Sequence, residues 1–230
     1  MAYGFKNNAP FGLQVYNGMG AATYNGQYTT GKMTAANANT SPYANSIFKY
    51  DPIYWNANGN IILASGGANP GPTLGTFEKC DYYSNTGGFE NRNYWQGGQL
   101  TLNGSPVQVM YNSDPNIQYM IQVSTSANTA VENITLTSAM VGNNANFNVG
   151  GSWGPPVNSP YLDNPATGNT VSGQSAYYLD LSTVGNGAEL NLKIMGIAAL
   201  PNNEYGTPFN IALVRINNNV LQGGTGTAGV

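Results

Sequence analysis

Apolar and polar positions along this chain alternate mostly with a period of two and hardly anywhere with the period of a helix. The clearest run is residues 118–124, where Tyr119, Ile121 and Val123 alternate with Gln118, Met120 and Gln122. Residues 107–111 precede it across a turn at Ser113-Asp114-Pro115-Asn116. Residues 47–55 and 61–64 flank Asn58-Gly59-Asn60, which predicts a hairpin, with Pro52 marking an edge or a bulge. A long strand is expected over residues 74–83, through Phe77 and Cys80. Further strands are expected at 176–181, 190–200 and 209–216. The last is apolar on both faces apart from Asn210 and Arg215, as a central strand is. Thr137 is placed to cap one helical turn over 138–141, closed by Gly142. Residues 84–94 and 143–160 read as polar loops.

Strands and turns at this spacing predict an all-β fold: a compact antiparallel barrel or sandwich. No repeat with a period of roughly 20–50 residues is visible, which disfavours solenoids and propellers. Residues 1–46 read as an extended arm with little regular structure, their apolar residues isolated among Asn, Gly and Thr. Such an arm either crosses its own domain or docks on a neighbour. Residues 47–222 then form the β-domain, and 223–230 a Gly/Thr-rich tail that is flexible or docked.

Composition narrows the chemistry. The 230 residues include 34 asparagines, 30 glycines and 16 tyrosines, but no histidine and one cysteine. Without histidine there is no Ser-His-Asp triad, no Cys-His pair and no usual zinc site. Cys80 has no partner for an intrachain disulfide and reads as a small buried strand residue. A glycosidase needs only two carboxylates, but the ten acidic residues are scattered. Glu78 and Asp81 are close in sequence, yet three apart on a strand they project to opposite faces. Asp163-Asn164 before Pro165 does not make a calcium loop. Three Asn-X-Ser/Thr triplets occur, as chance provides in so asparagine-rich a chain. No enzyme activity, cofactor or metal is expected.

Charged residues are 7% of the chain and the net charge is −3. The seven basic residues are dispersed, so neither nucleic acid nor an anionic membrane is an expected partner. No stretch approaches the ~18 apolar residues of a membrane helix. Residues 1–6 lack a basic region followed by an apolar run, so no secretory signal is expected. So low a charge gives little protection against association and points to life inside an assembly.

Tyrosine and tryptophan are the positive signal. Tyr54-Trp55, Tyr82-Tyr83, Tyr94-Trp95 and Tyr177-Tyr178 are adjacent pairs, and neighbours on a strand face opposite ways. About half of these rings would fill the core; the others suit a protein interface or, alternatively, sugar stacking.

The order of several segments resembles the capsid decoration, cement or head auxiliary proteins of tailed bacteriophages. Asn8-Ala9-Pro10-Phe11-Gly12-Leu13 and Tyr24-Asn25-Gly26-Gln27 open the series. Ile47-Phe48-Lys49-Tyr50-Asp51 is similar to an apolar pair leading to Gly-Asp, with Tyr50 in the glycine place. Gly75-Thr76-Phe77-Glu78-Lys79-Cys80-Asp81-Tyr82 is similar to a Gly-x-Phe-x-Gly-Cys-x-Tyr strand, with Lys79 replacing the second glycine. Asn93-Tyr94-Trp95, the 113–123 element, 172–180, 190–196, Pro201-Asn202-Asn203-Glu204 and 214–218 follow in the same order.

The resemblance implies a non-enzymatic virion protein on the outer surface of a capsid. It would be a homotrimer that bridges neighbouring copies of the major capsid protein. The arm would drape over adjacent subunits, asparagine amides would complete hydrogen bonds, and aromatic rings would fill surface pockets. The residues expected at that interface are Phe5, Phe11, Leu13, Tyr16, Tyr24, Tyr28, Tyr94, Trp95 and Trp153. The alternative is a carbohydrate-binding or host-attachment protein of a tail or spike.

Overall fold

In the computed structural model the described residues are 11–17, 28–66, 70–124, 135–149, 168, 173–208 and 210–230. They form fourteen strands. The first five are β1 (Gln14–Asn17), β2 (Thr29–Met33), β3 (Ile47–Phe48), β4 (Pro52–Trp55) and β5 (Ile61–Leu63). Then come β6 (Gly75–Tyr83), β7 (Phe89–Arg92), β8 (Tyr94–Trp95), β9 (Val107–Asn112) and β10 (Gln118–Ser124). The last are β11 (Asn144–Val149), β12 (Tyr177–Gly185), β13 (Leu192–Ile197) and β14 (Ile211–Ile216). Helix among the described residues is limited to three-residue 3-10 turns.

Two curled six-stranded sheets hold twelve of these strands, and β3 and β8 pair with each other as a separate two-stranded ribbon. In the first, β10, β12, β11, β13 and β14 pair in that order, and β14 pairs back onto β10 to close the ring. All contacts in this ring are antiparallel except β10 with β12, where Val123 and Ser124 run parallel to Leu179 and Asp180. Closure removes free edges, the feature that exposes open sheets to unwanted pairing. The predicted alternation in β10 points Tyr119, Ile121 and Val123 into this barrel's core beside Phe147, Leu179 and Val214. Gln122, expected on the wet face, is also buried. β14 is bonded on both edges, to β13 and β10.

The second sheet runs β2-β9-β6-β4-β5, with β7 on the far half of β6. It curls until Ile61 of β5 reaches Gly31 of β2, where a Cβ would stand 3.0 Å from the isoleucine side chain. Inside lie Phe77, Cys80, Tyr82, Trp95, Val109 and Tyr111. Cys80 is a buried free thiol, and burial pushes it up to about 12.

The β4–β5 hairpin turns as predicted. Asn56 Oδ1 accepts from the N–H groups of Asn58 and Asn60 at 2.9 and 3.0 Å, and Gly59 supplies φ 71°. Ser138–Met140 is a single 3-10 turn; Thr137 makes no side-chain cap there, and Gly142 follows at φ 89°.

Three segments depart from the sequence reading. Residues 84–94 are loop only at their start: after a turn over 84–88, β7 pairs antiparallel with β6, Tyr83 opposite Phe89 and Cys80 opposite Arg92. Residues 144–149, read as loop, are β11, with Asn144 and Asn146 buried. Both strands are masked by polar residues whose side chains bond within the fold. Thirdly, the described residues of the 1–46 segment include two strands. β1 pairs with β10, β2 pairs with β9, Leu13 is in the first core and Met33 in the second. Its described part lies across its own domain. At the other end the tail docks, with Gly229 N–H donating to Asn186 O at 3.1 Å and Val230 N–H to Gly142 O at 3.3 Å.

Candidate interaction surface

The nine residues expected at an interface have several fates. Leu13 and Trp95 are core residues. The Trp95 ring meets Tyr82 edge-on at 5.3 Å, and its Nε1–H donates to Tyr43 O at 3.0 Å. Phe11, Tyr16 and Tyr94 are half-buried, and Tyr94 stacks on the buried ring of Phe48 at 5.9 Å. Tyr28 is exposed. Phe5, Tyr24 and Trp153 lie outside the described residues.

Three exposed aromatics among the described residues were not selected by sequence reading: Tyr205, and the more open Tyr83 and Phe89 at 51% and 60% exposure. Tyr83 and Phe89 form a pair. They are cross-strand partners at the tip of the β6–β7 hairpin, with ring centroids 5.5 Å apart and planes at 65°. A bridge between Ser84 and Thr101 brings exposed Leu102 to the same end. The tip is held firmly: Ser84 N–H donates to Gly88 O and Gly87 N–H to Ser84 O, both at 2.8 Å. The signal was the pair Tyr82-Tyr83. Tyr82 turns inward and bonds Gln99 Oε1 at 3.0 Å, so Tyr83 must turn out.

Asparagine, expected to reach partners, mainly holds this chain's own loops. Asn203 Nδ2 donates to Ala198 O and Ile211 O at 2.7 and 2.9 Å, while its Oδ1 accepts from Ile211 N–H at 2.9 Å. Asn191 Nδ2 donates to Gly71 O, Asn218 Nδ2 to the same carbonyl, and Asn144 Nδ2 to Thr227 O. These amides add side-chain partners to backbone at loops and strand ends; the Ala198 and Ile211 carbonyls also accept from Leu200 N–H and Ala198 N–H.

The acidic groups are similarly engaged. Asp51 is fully buried and accepts from Phe48 N–H at 2.8 Å. Burial pushes its carboxyl up to about 8, against the opposing pull of bonds from Phe48 and Ser175. Glu78 sits between Lys49 and Asn112, and burial raises its carboxyl above the usual range. Burial pushes the Lys49 ammonium down, but Glu78 and Tyr50 beside it carry the net shift upward. Asp81 takes a bond from Asn91, and Asp180 takes bonds from Ser182 and Asn148. Among the described residues no group of three or more His, Cys, Asp or Glu is placed to hold a metal ion, and no helix is long and apolar enough to cross a membrane.

No family model, curated protein or solved structure matches this chain.

Proposed function

We propose that this chain is a structural protein of a bacteriophage virion that decorates the outside of the capsid and bridges neighbouring copies of the major capsid protein. It acts as a homotrimer and without catalysis. The carrying observation is the Tyr83–Phe89 pair, two large rings more than half exposed on a rigid hairpin tip. Exposed apolar clusters of this kind mark contact surfaces, and aromatic anchors supply most of the energy of such contacts.

Two backbone details support the likeness on which the capsid assignment rests. Tyr50 stands where the resembling segment carries glycine, and it adopts φ 73°, a conformation natural to glycine. Gly75 stands at the first glycine of the resembling strand, and a Cβ there would overlap the carbonyl of Asn112. The second reading, a carbohydrate-binding attachment protein, draws on the same rings. Their 65° angle leaves no flat platform for a sugar, so a protein pocket is the better match.

The test is electron microscopy of purified particles with and without this chain. Density on the outer shell at capsomer boundaries is the expected result. Density confined to a tail or spike, or saccharide quenching of Trp fluorescence without capsid binding, overturns the reading in favour of host attachment.

A further inference from the structure

Glu78 is the extra residue of a β-bulge. The pairing of β6 with β9 steps from Phe77 opposite Tyr111 to Lys79 opposite Met110, leaving Glu78 without a partner across the ladder. Its side chain is only 7% exposed. One carboxylate oxygen lies 3.4 Å from Lys49 Nζ. The other accepts a hydrogen bond from Asn112 Nδ2 at 2.7 Å. Asn112 ends β9 and is 1% exposed. Lys49 is the more open member at 36%, and its ammonium sits 4.9 Å from the centre of the Tyr50 ring.

A single shielded carboxyl therefore holds a primary amine and a carboxamide together. These three groups are sufficient for transamidation. The amine is the nucleophile, the carboxamide carbon the electrophile, and the carboxyl the carrier of protons between the two nitrogens. Holding reactants in place replaces a bimolecular encounter, which is the largest obstacle to amide exchange in water.

We propose that Lys49 and Asn112 join in an intramolecular isopeptide bond, with Glu78 carrying the protons. Lys49 Nζ gives a proton to Glu78 and bonds to Cγ of Asn112. The Cγ–Nδ2 bond then breaks. In becoming an amide nitrogen, the Lys49 ammonium gives up two protons in all. Both pass through Glu78 to Nδ2, which leaves as ammonium ion, so Glu78 ends as it began. No oxidant, metal or cofactor takes part. Burial, which raises the Glu78 carboxyl, makes it a tolerable resting place for a proton between transfers. The limited exposure of Asn112 keeps water from hydrolysing the amide first.

The bond would tie the residue after β3 to the end of β9, closing a covalent loop that contains β4 to β9. In a chain with one cysteine it supplies the cross-link that a disulfide supplies elsewhere. This inference stands apart from the assembly role.

The test is mass spectrometry of the denatured full-length chain, intact and after digestion. The expected result is a mass lower by one ammonia than the sequence requires, and one branched peptide joining Lys49 to Asn112. Lys49→Arg, Glu78→Gln and Asn112→Ala should each restore the full mass, with circular dichroism confirming that each variant folds. Glu78→Gln keeps the size of the native side chain and one acceptor oxygen, but cannot carry a proton. Asn112→Asp should lose one water in place of ammonia. An unbranched Lys49 peptide from the folded native chain overturns the proposal. So does a branched peptide that persists in folded Glu78→Gln, or conversion of Asn112 to aspartate with Lys49 free.

Discussion

Leu13 donates its backbone N–H to the carbonyl of Tyr50 at 2.9 Å, joining β1 of the first sheet to the turn ahead of β4 in the second. Gly12 makes this approach possible. It sits at φ 74°, its N–H donates to Tyr177 O, and a Cβ would fall 2.5 Å from Tyr50 O and 2.6 Å from Ser175 Oγ. Gly12→Ala therefore forces two packed backbones apart in a conformation unfavourable to alanine. A loss of about 2 kcal/mol or more is expected. It will be read as a lower urea midpoint, whereas Gly59→Ala, with open space around its Cβ, tests the cost of positive φ alone.

Asp51 lies beside this junction and reverses the usual pH behaviour of a carboxylate. Its folded value, about 8, is above the unfolded 3.8. Between these values the folded chain keeps a proton that the unfolded chain has lost. Stability is therefore greatest below about pH 4 as far as this group is concerned, falls through the neutral range and levels off above about pH 8. The slope approaches about 1.4 kcal/mol per pH unit. Glu78, also raised, adds a slope of the same sign. Asp51→Asn keeps an acceptor for Phe48 N–H and cannot ionise. Denaturation midpoints compared at pH 5 and pH 8.5 should fall steeply for the native chain and much less for this variant.

How far the sequence foretold this fold depends on where polar side chains spend their hydrogen bonds. The β4–β5 hairpin was legible because Asn58-Gly59 has few conformations besides a turn. β10 was legible because its inward residues are Tyr, Ile and Val. β7 and β11 were hidden because Phe89-Glu90-Asn91-Arg92 and Asn144-Ala145-Asn146 look like loop. Asn144 and Asn146 are buried by bonds to Thr227 O and to Asn191 N–H, partners distant in sequence. The same limit applies to the rings. Alternation says that one of Tyr94 and Trp95 faces inward, but only the packing of Tyr82 shows that it is Trp95. Lys49, Glu78 and Asn112 come from three segments whose convergence no spacing rule announces.

Asn203 offers a direct measure of the asparagine framework. Its side chain makes three buried hydrogen bonds to backbone flanking the β13–β14 connection. Asn203→Ala leaves the carbonyls of Ala198 and Ile211 without that donor and Ile211 N–H without its acceptor. Both carbonyls keep a backbone donor, Leu200 N–H and Ala198 N–H respectively, so Ile211 N–H is the group left unpaired and the expected loss is about 1–3 kcal/mol. Asn203→Asp should cost at least as much, because a carboxylate would face two carbonyl oxygens. Urea denaturation of both variants gives the comparison, with hydrogen exchange at Ile211 rising in each.

Tyr83 and Phe89 separate folding from assembly. Both rings project from the surface, so replacing them removes little buried area: Tyr83→Ala/Phe89→Ala should change stability by no more than about 1 kcal/mol, the worth of the ring pair itself. An anchor pair that fills a partner's pocket behaves differently, because truncating each ring there costs about 2 kcal/mol or more. The double variant should keep a near-native denaturation midpoint yet bind emptied capsids at least roughly 30-fold more weakly, the loss of one ring, and up to roughly 1,000-fold if the two add, as measured by co-sedimentation. Leu102→Ala, at the edge of the same tip, should weaken binding less. Equal binding by native and double-variant chains would move the contact surface away from the β6–β7 hairpin and leave Tyr28 as the exposed one, among the described residues, of the candidates read from the sequence.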